Sequence, residues 1–123
     1  MVKVPSPEEE DRRRVTRERL HSLLEQATTF FERCLWDMES ATEVRRYVAS
    51  RGLSEETAKA FRLGLSPGRG LVAKAREKGF TVQELQATGL ANQRGNDYFP
   101  YRLMFPLADA RGRVVGFQAR KLR

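Results

Sequence analysis

Apolar residues recur at helical spacing through the first third of the chain. Val15, Leu20, Leu23, Leu24, Ala27, Phe30, Phe31, Cys34, Leu35 and Met38 follow the i, i+3, i+4 rule. The spacing predicts one long amphipathic helix with its apolar stripe on a core. Ser6-Pro7-Glu8-Glu9 supplies the start signal: a serine N-cap, proline at the first position and acids in the first turn. The charge-dense run 8–19 pairs acids with arginines three and four positions apart. Arg12-Arg13-Arg14 reads as a solvated face of that helix, with a nucleic-acid role as the alternative.

Shorter helices follow. Ser40 with Glu43 forms a capping-box pattern. Val44, Tyr47 and Val48 make the inner face, and Gly52 closes the helix with Leu53 packing back. Ser54 caps a third helix, in which Phe61 and Leu63 turn inward and Gly64 is the stop. Ser66-Pro67-Gly68-Arg69-Gly70 is a breaker cluster that divides the chain. A helix from Leu71 to Lys78 closes at Gly79. Thr81 with Glu84 repeats the capping box before Leu85, and Gly89 ends that turn. Leu90-Ala91 opens a strand that returns at Tyr98-Phe99 through Arg94-Gly95-Asn96. Tyr98, Phe99 and Tyr101 read as core in this apolar neighbourhood, with stacking on bases as the alternative.

The last pattern is that of a hairpin. Leu103 to Ala108 and Val114 to Phe117 are apolar and flank Asp109-Ala110-Arg111-Gly112. Asp opens such turns by bonding to its own backbone, and Gly closes them by accepting positive φ. A bulge is expected at Gly112, and an edge or bulge position at Pro106. The expected fold is α+β: a helical N-terminal half, then short helices and a small antiparallel sheet with a C-terminal β-hairpin. The organisation is a disordered lead-in over 1–7, a helical part over 8–66 and a basic α/β part over 67–123.

Charge sharpens this picture. Residues 1–66 hold 12 Lys/Arg and 12 Asp/Glu, whereas residues 67–123 hold 11 and 4, so the net +7 lies in the second part. Such a surface attracts polyanions. A single cysteine, Cys34, cannot form an internal disulfide or, by itself, a zinc site. It lies on the apolar stripe and reads as a buried small hydrophobe, and His21 beside it has no second ligand at metal-binding spacing. No run approaches the ~18 apolar residues of a membrane span, and no signal-peptide core precedes the first helix, so a cytoplasmic, membrane-free protein is expected. The Gly68-Arg69-Gly70 loop lacks a full phosphate-loop pattern and reads as a connector, phosphate binding being the alternative. No nucleophile–base pair, His–carboxylate pair or metal-spaced acid cluster is present, so no catalytic residue is assigned.

Two strings carry a family resemblance. Arg102, Met104, Phe105, Pro106, Asp109, Arg111, Gly112, Arg113, Val114, Gly116, Phe117 and Arg120 spell R-x-M-F-P-x-x-D-x-R-G-R-V-x-G-F-x-x-R. That string resembles the strand pair leading into the catalytic core of bacterial (DnaG-type) DNA primases. Upstream, Tyr47 to Ser54 (YVASRGLS) and Phe61 to Gly64 (FRLG) are similar to a second segment of the same family. Gln118-Ala119 departs from the family's usual Gly pair. The resemblance implies the N-terminal subdomain of the RNA-polymerase core of an enzyme that makes RNA primers on single-stranded DNA during replication, with this chain alone inactive. It implies a zinc-binding module before this region and a Toprim subdomain after it, whose carboxylates hold Mg or Mn. Implied partners are single-stranded DNA, the RNA–DNA heteroduplex, ribonucleoside triphosphates and, through other regions, the replicative helicase. Arg51 and Arg120 would face nucleotide or heteroduplex phosphates, and Arg102, Arg113 and Lys121 the backbone. The alternatives are a non-catalytic single-stranded nucleic-acid-binding module and a protein-interaction module.

Overall fold

The computed structural model describes residues 4–122. Residues 1–3 of the expected lead-in lie outside the described residues. Helix α1 spans Pro7–Trp36, with Ser6 Oγ accepting from the Glu9 amide at its N-cap. At 1.5 Å per residue it is about 45 Å long. Burial begins only at Leu23, and the stripe continues through Ala27, Phe31, Cys34 and Leu35. Val15, expected on the buried stripe, is exposed, and Met38 lies beyond the helix in extended backbone. The first turns therefore project past the core, and their side chains face solvent.

Helix α2 spans Thr42–Ser50 and is entered through a tight 3-10 turn, Glu39–Ala41. The capping box expected at Ser40 does not form, because Ser40 sits inside that turn. Arg45 closes the corner instead. Its Nη1 donates to the carbonyl of Leu35 (2.7 Å), in the last turn of α1, and to that of Met38 (2.8 Å), which also accepts from the Ala41 amide. Gly52 ends α2 at φ 86°, with the Leu53 amide reaching back to the Val48 carbonyl.

Helix α3 spans Glu55–Ala60, capped by Ser54 Oγ on the Thr57 amide. Its end differs from expectation. The left-handed residue is Arg62, at φ 59°, and not Gly64. The Leu63 amide bonds the Ala58 carbonyl, which turns Leu63 into the core and leaves Phe61 69% exposed.

Gly64, expected as a helix stop, opens a strand, β1 (Gly64–Pro67), whose last two residues belong to the expected breaker cluster. It pairs antiparallel with β2 (Tyr101–Ala108), which pairs antiparallel with β3 (Val114–Arg120), in the order β1-β2-β3. The sheet thus spans the division between the helical and basic parts. β1 covers β2 only from Tyr101 to Met104, so Pro106 needs no donor on its open side. In the turn, Asp109 Oδ1 accepts from the Arg111 (2.9 Å) and Arg113 (3.0 Å) amides, and Gly112 takes φ 81°. The register shifts between Leu107 and Ala108, where β3 inserts Val115, so the bulge expected at Gly112 falls at Val115 and Val114 turns into the core.

Between the strands, α4 spans Leu71–Glu77 and α5 spans Val82–Ala87, the latter with its capping box formed. The expected strand pair at Leu90 and Tyr98 shrinks to one bridge, Ala91 to Asp97. Two cores result. The first joins α1, α4 and α5 to Met104, Val114 and Phe117. Phe31 is its centre, edge-on to Phe30, Phe99 and Phe117. The second joins the end of α1, α2 and α3 to Leu63, Leu65 and Leu103. Neighbouring residues of β2, Leu103 and Met104, enter different cores because strand side chains alternate.

Candidate nucleic-acid interface

The second core carries a rim of cations seated on aromatic rings. Arg51 occupies the C-cap of α2, one turn after Tyr47. Its guanidinium lies 5.2 Å from the Tyr47 ring centroid, and its Nε donates to Tyr47 Oη at 3.2 Å. Arg120 closes β3 opposite Leu103. Its guanidinium lies 5.8 Å from the Phe105 centroid. Lys59 covers Trp36 at 5.1 Å. Tyr47, Phe105 and Trp36 all pack partly on the second core. A ring beneath a guanidinium orients it by cation–π attraction and leaves its N–H edge free. Neither Arg51 nor Arg120 pairs with an acid among the described residues.

Register decides which of the other cations can join them. Directly paired residues share a sheet face, so Leu103, Phe105 and Arg120 lie on one face, with Tyr101 two positions before Leu103. Arg102 falls on the opposite face, and its Nη1 donates to the neighbouring Tyr101 carbonyl at 2.8 Å. Arg113 lies in the hairpin turn at the far end of β3, 3.4 Å from Asp109. Lys121 follows β3 and is exposed. The structure gathers Arg51 and Arg120 around one core and separates Arg102 and Arg113 from them.

The aromatic residues correct the sequence reading in part. Phe99 is half-buried on the first core, as expected. Tyr98 and Tyr101, expected in the core, are 59% and 47% exposed. Phe99, between them, takes the core position, and both tyrosine rings stay outside. Tyr47 and Phe105 are the ring partners of these arginines that sequence reasoning missed. The i, i+4 spacing of Tyr47 and Arg51 was a usable signal; the Phe105–Arg120 stack depends on register.

The helix start after Gly68-Arg69-Gly70 is already occupied. Asp97 accepts from the Leu71 and Val72 amides, both at 3.0 Å. This carboxylate takes the place an anion would fill. Cys34 is buried, and loss of solvent pushes its thiol up to about 11, against a smaller pull from Lys74. It is a packing residue, not a nucleophile. Among the described residues no three His, Cys, Asp or Glu side chains gather to hold a metal ion, and no helix is long and apolar enough to cross a membrane.

Comparison with known proteins identifies this α+β fold with a part of a replication enzyme's core. The family described as DNA primase catalytic core, N-terminal domain, matches residues 30–123, and the chain belongs to that family. It is 36% identical over 107 residues to the DNA primase of Chlamydia pneumoniae, covering 85% of this chain and 18% of that protein. The chain therefore spans about a fifth of such a relative's length. Its fold matches the RNA polymerase domain of Mycobacterium tuberculosis primase with a TM-score of 0.79 at 34% identity, covering 87% of this chain and 36% of that one. It matches a DnaG primase catalytic domain bound to single-stranded DNA with a TM-score of 0.75 at 37% identity, covering 88% and 36%.

Proposed function

We propose that this domain forms one wall of the groove in which a bacterial DNA primase builds RNA primers on single-stranded DNA. The observation that carries the reading is the pair Arg51 on Tyr47 and Arg120 on Phe105, set around one core without an acid partner. A guanidinium held over a ring can offer its terminal N–H groups to phosphate oxygens bidentately. Tyr101, exposed on the face that carries Arg120, supplies a surface on which a base can stack. Arg51 and Arg120 then hold ribonucleotide or heteroduplex phosphates. Arg102, Arg113 and Lys121 take weaker, more distant positions along the template backbone.

Phosphoryl transfer of this kind uses divalent ions to neutralise the triphosphate. The described residues do not form a site for such ions. Mg or Mn belongs to a Toprim subdomain, and Zn to a zinc-binding module, elsewhere in a longer cytoplasmic protein. The contact with the replicative helicase lies outside this domain as well. What this chain's residues do is bind and orient the polyanion.

The test is fluorescence-anisotropy titration of a short labelled single-stranded DNA over roughly 50 to 200 mM salt. The expected result is salt-dependent binding, weakened about tenfold by Arg51→Ala/Arg120→Ala, with a salt slope shallower by about 1.4 for two lost phosphate contacts. Binding indifferent to these two changes, or no binding at low salt, overturns the reading.

A further inference from the structure

A second concave site lies between α1 and α4, and none of the five candidate phosphate-binding cations lines it. The cavity holds about 410 Å³, within the size range of small-ligand sites. Its floor is apolar: Leu23, Ala27 and Phe30 from α1, and Leu71 and Ala75 from α4. Its rim is cationic, with Lys74 on α4, Lys78 four residues on at the C-cap of that helix, and Arg33 from α1. Asp37 is the one acid in the lining, so the rim carries a net charge of plus two. None of these three cations is ion-paired among the described residues. Gln26, also in the lining, has a buried side-chain oxygen with no hydrogen-bond partner among the described residues. A buried acceptor left unpaired is costly, and an N–H or O–H carried on the body of a bound ligand relieves that cost.

We propose that this cavity binds a small aromatic organic anion, the ring lying against Phe30 and the apolar floor and the anionic head between Lys74 and Lys78. Three features select that class. Phe30 is only partly buried, so its ring is available for aromatic packing. The floor offers no charge to compensate a polar body. The cations stand on the rim, where a head group remains partly solvated while its ring is enclosed. Lys74 lines the same cavity as the floor residues Phe30, Leu71 and Ala75. This inference goes beyond the proposed nucleic-acid role and uses a different set of residues.

The probe is 8-anilino-1-naphthalenesulfonate, which joins an aryl body to one anionic head. Its fluorescence is titrated on the folded 123-residue chain, and the site is mapped by amide chemical-shift changes. The expected result is saturable binding of one probe, with shifts concentrated at Ala27, Phe30, Lys74 and Lys78. Reversing the exposed charges, Lys74→Glu/Lys78→Glu, should weaken it about tenfold, as should Arg33→Glu to a lesser degree. An unchanged far-UV melt shows that these variants remain folded. A neutral and a cationic naphthalene, 2-naphthalenemethanol and 1-naphthylmethylamine, should bind more weakly than the sulfonate. Equal binding of all three aryl probes, shifts centred elsewhere, binding indifferent to the charge reversals, or no binding overturns the proposal. So does preferential occupation by an acidic peptide that the sulfonate cannot displace.

Discussion

Arg19 and Glu84, 65 residues apart, form a bidentate ion pair, with Nε to Oε2 at 2.6 Å and Nη2 to Oε1 at 2.8 Å. Arg19 also donates to the Gly79 carbonyl at 3.1 Å and lies over the Phe80 ring at 5.1 Å. Glu84 meanwhile accepts from the Thr81 amide in the capping box of α5. One side chain of α1 thus clasps the turn between α4 and α5. Foremost the Arg19 hydrogen bond, then that of the Thr81 backbone, hold the Glu84 carboxyl down at about 2. A depressed carboxyl stabilises the fold fully above its ordinary value near 4.5 and progressively less as pH falls toward 2. Arg19→Ala should lower Tm by a few degrees at neutral pH. The gap between wild type and Glu84→Gln should close as thermal melts are taken from pH 5 down toward about pH 2. A gap that persists there would refute the ionic account.

Gly64 is required by space and not by its dihedral angles. A Cβ at this position would lie 2.6 Å from Phe31 Cβ and 2.7 Å from the Phe31 carbonyl carbon. The obstruction is partly backbone, so a rotamer change cannot relieve it. Gly64→Ala should push β1 off α1 and cost about 3 kcal/mol, read as a lower urea midpoint.

Arg62 inverts the usual preference at a helix end. It holds a left-handed conformation that ordinarily selects glycine, and it bonds Glu25 at 2.6 Å and Glu32 at 3.0 Å. Arg62→Ala keeps the backbone strain and loses both ion pairs. Arg62→Gly loses the pairs and relieves the strain. The glycine variant should therefore be more stable than the alanine variant by about 1 kcal/mol in denaturant titrations, although alanine is the better residue inside helices. Equal stability of the two would show that the conformation carries no strain.

Asp97 caps α4 from 25 residues away, through two backbone amides. Asp97→Ala should cost about 1 kcal/mol, with amide exchange accelerated first at Leu71 and Val72. Asp97→Asn, which keeps one acceptor, should lose less.

The elements that were legible in the sequence are those closed by local chemistry. Ser6 with Pro7, Ser54, and Thr81 with Glu84 start their helices where the side-chain oxygens indicate, because a cap needs only residues within one turn. Asp109 and Gly112 mark the hairpin for the same reason. The family, too, could be read from two short motifs. Two of the misreadings fall where a distant partner intervenes. Gly64 to Pro67 carries breaker residues, yet β2 supplies the ladder that makes it a strand. Arg62 ends α3 because two glutamates of α1 receive its side chain, which in turn exposes Phe61.

The candidate site divides along the same line. The sequence alone determines that the basic excess follows residue 66 and that Arg51 stands one helical turn after an aromatic residue. Only the tertiary structure decides that Arg120 shares a core with Arg51 and that Arg102 does not. The reason is the two-residue period of a strand: a single step along β2 carries a side chain from one core to the other, and the pairing with β3 sets which cation follows. Charge is a property of composition, whereas the face on which a charge stands is a property of register.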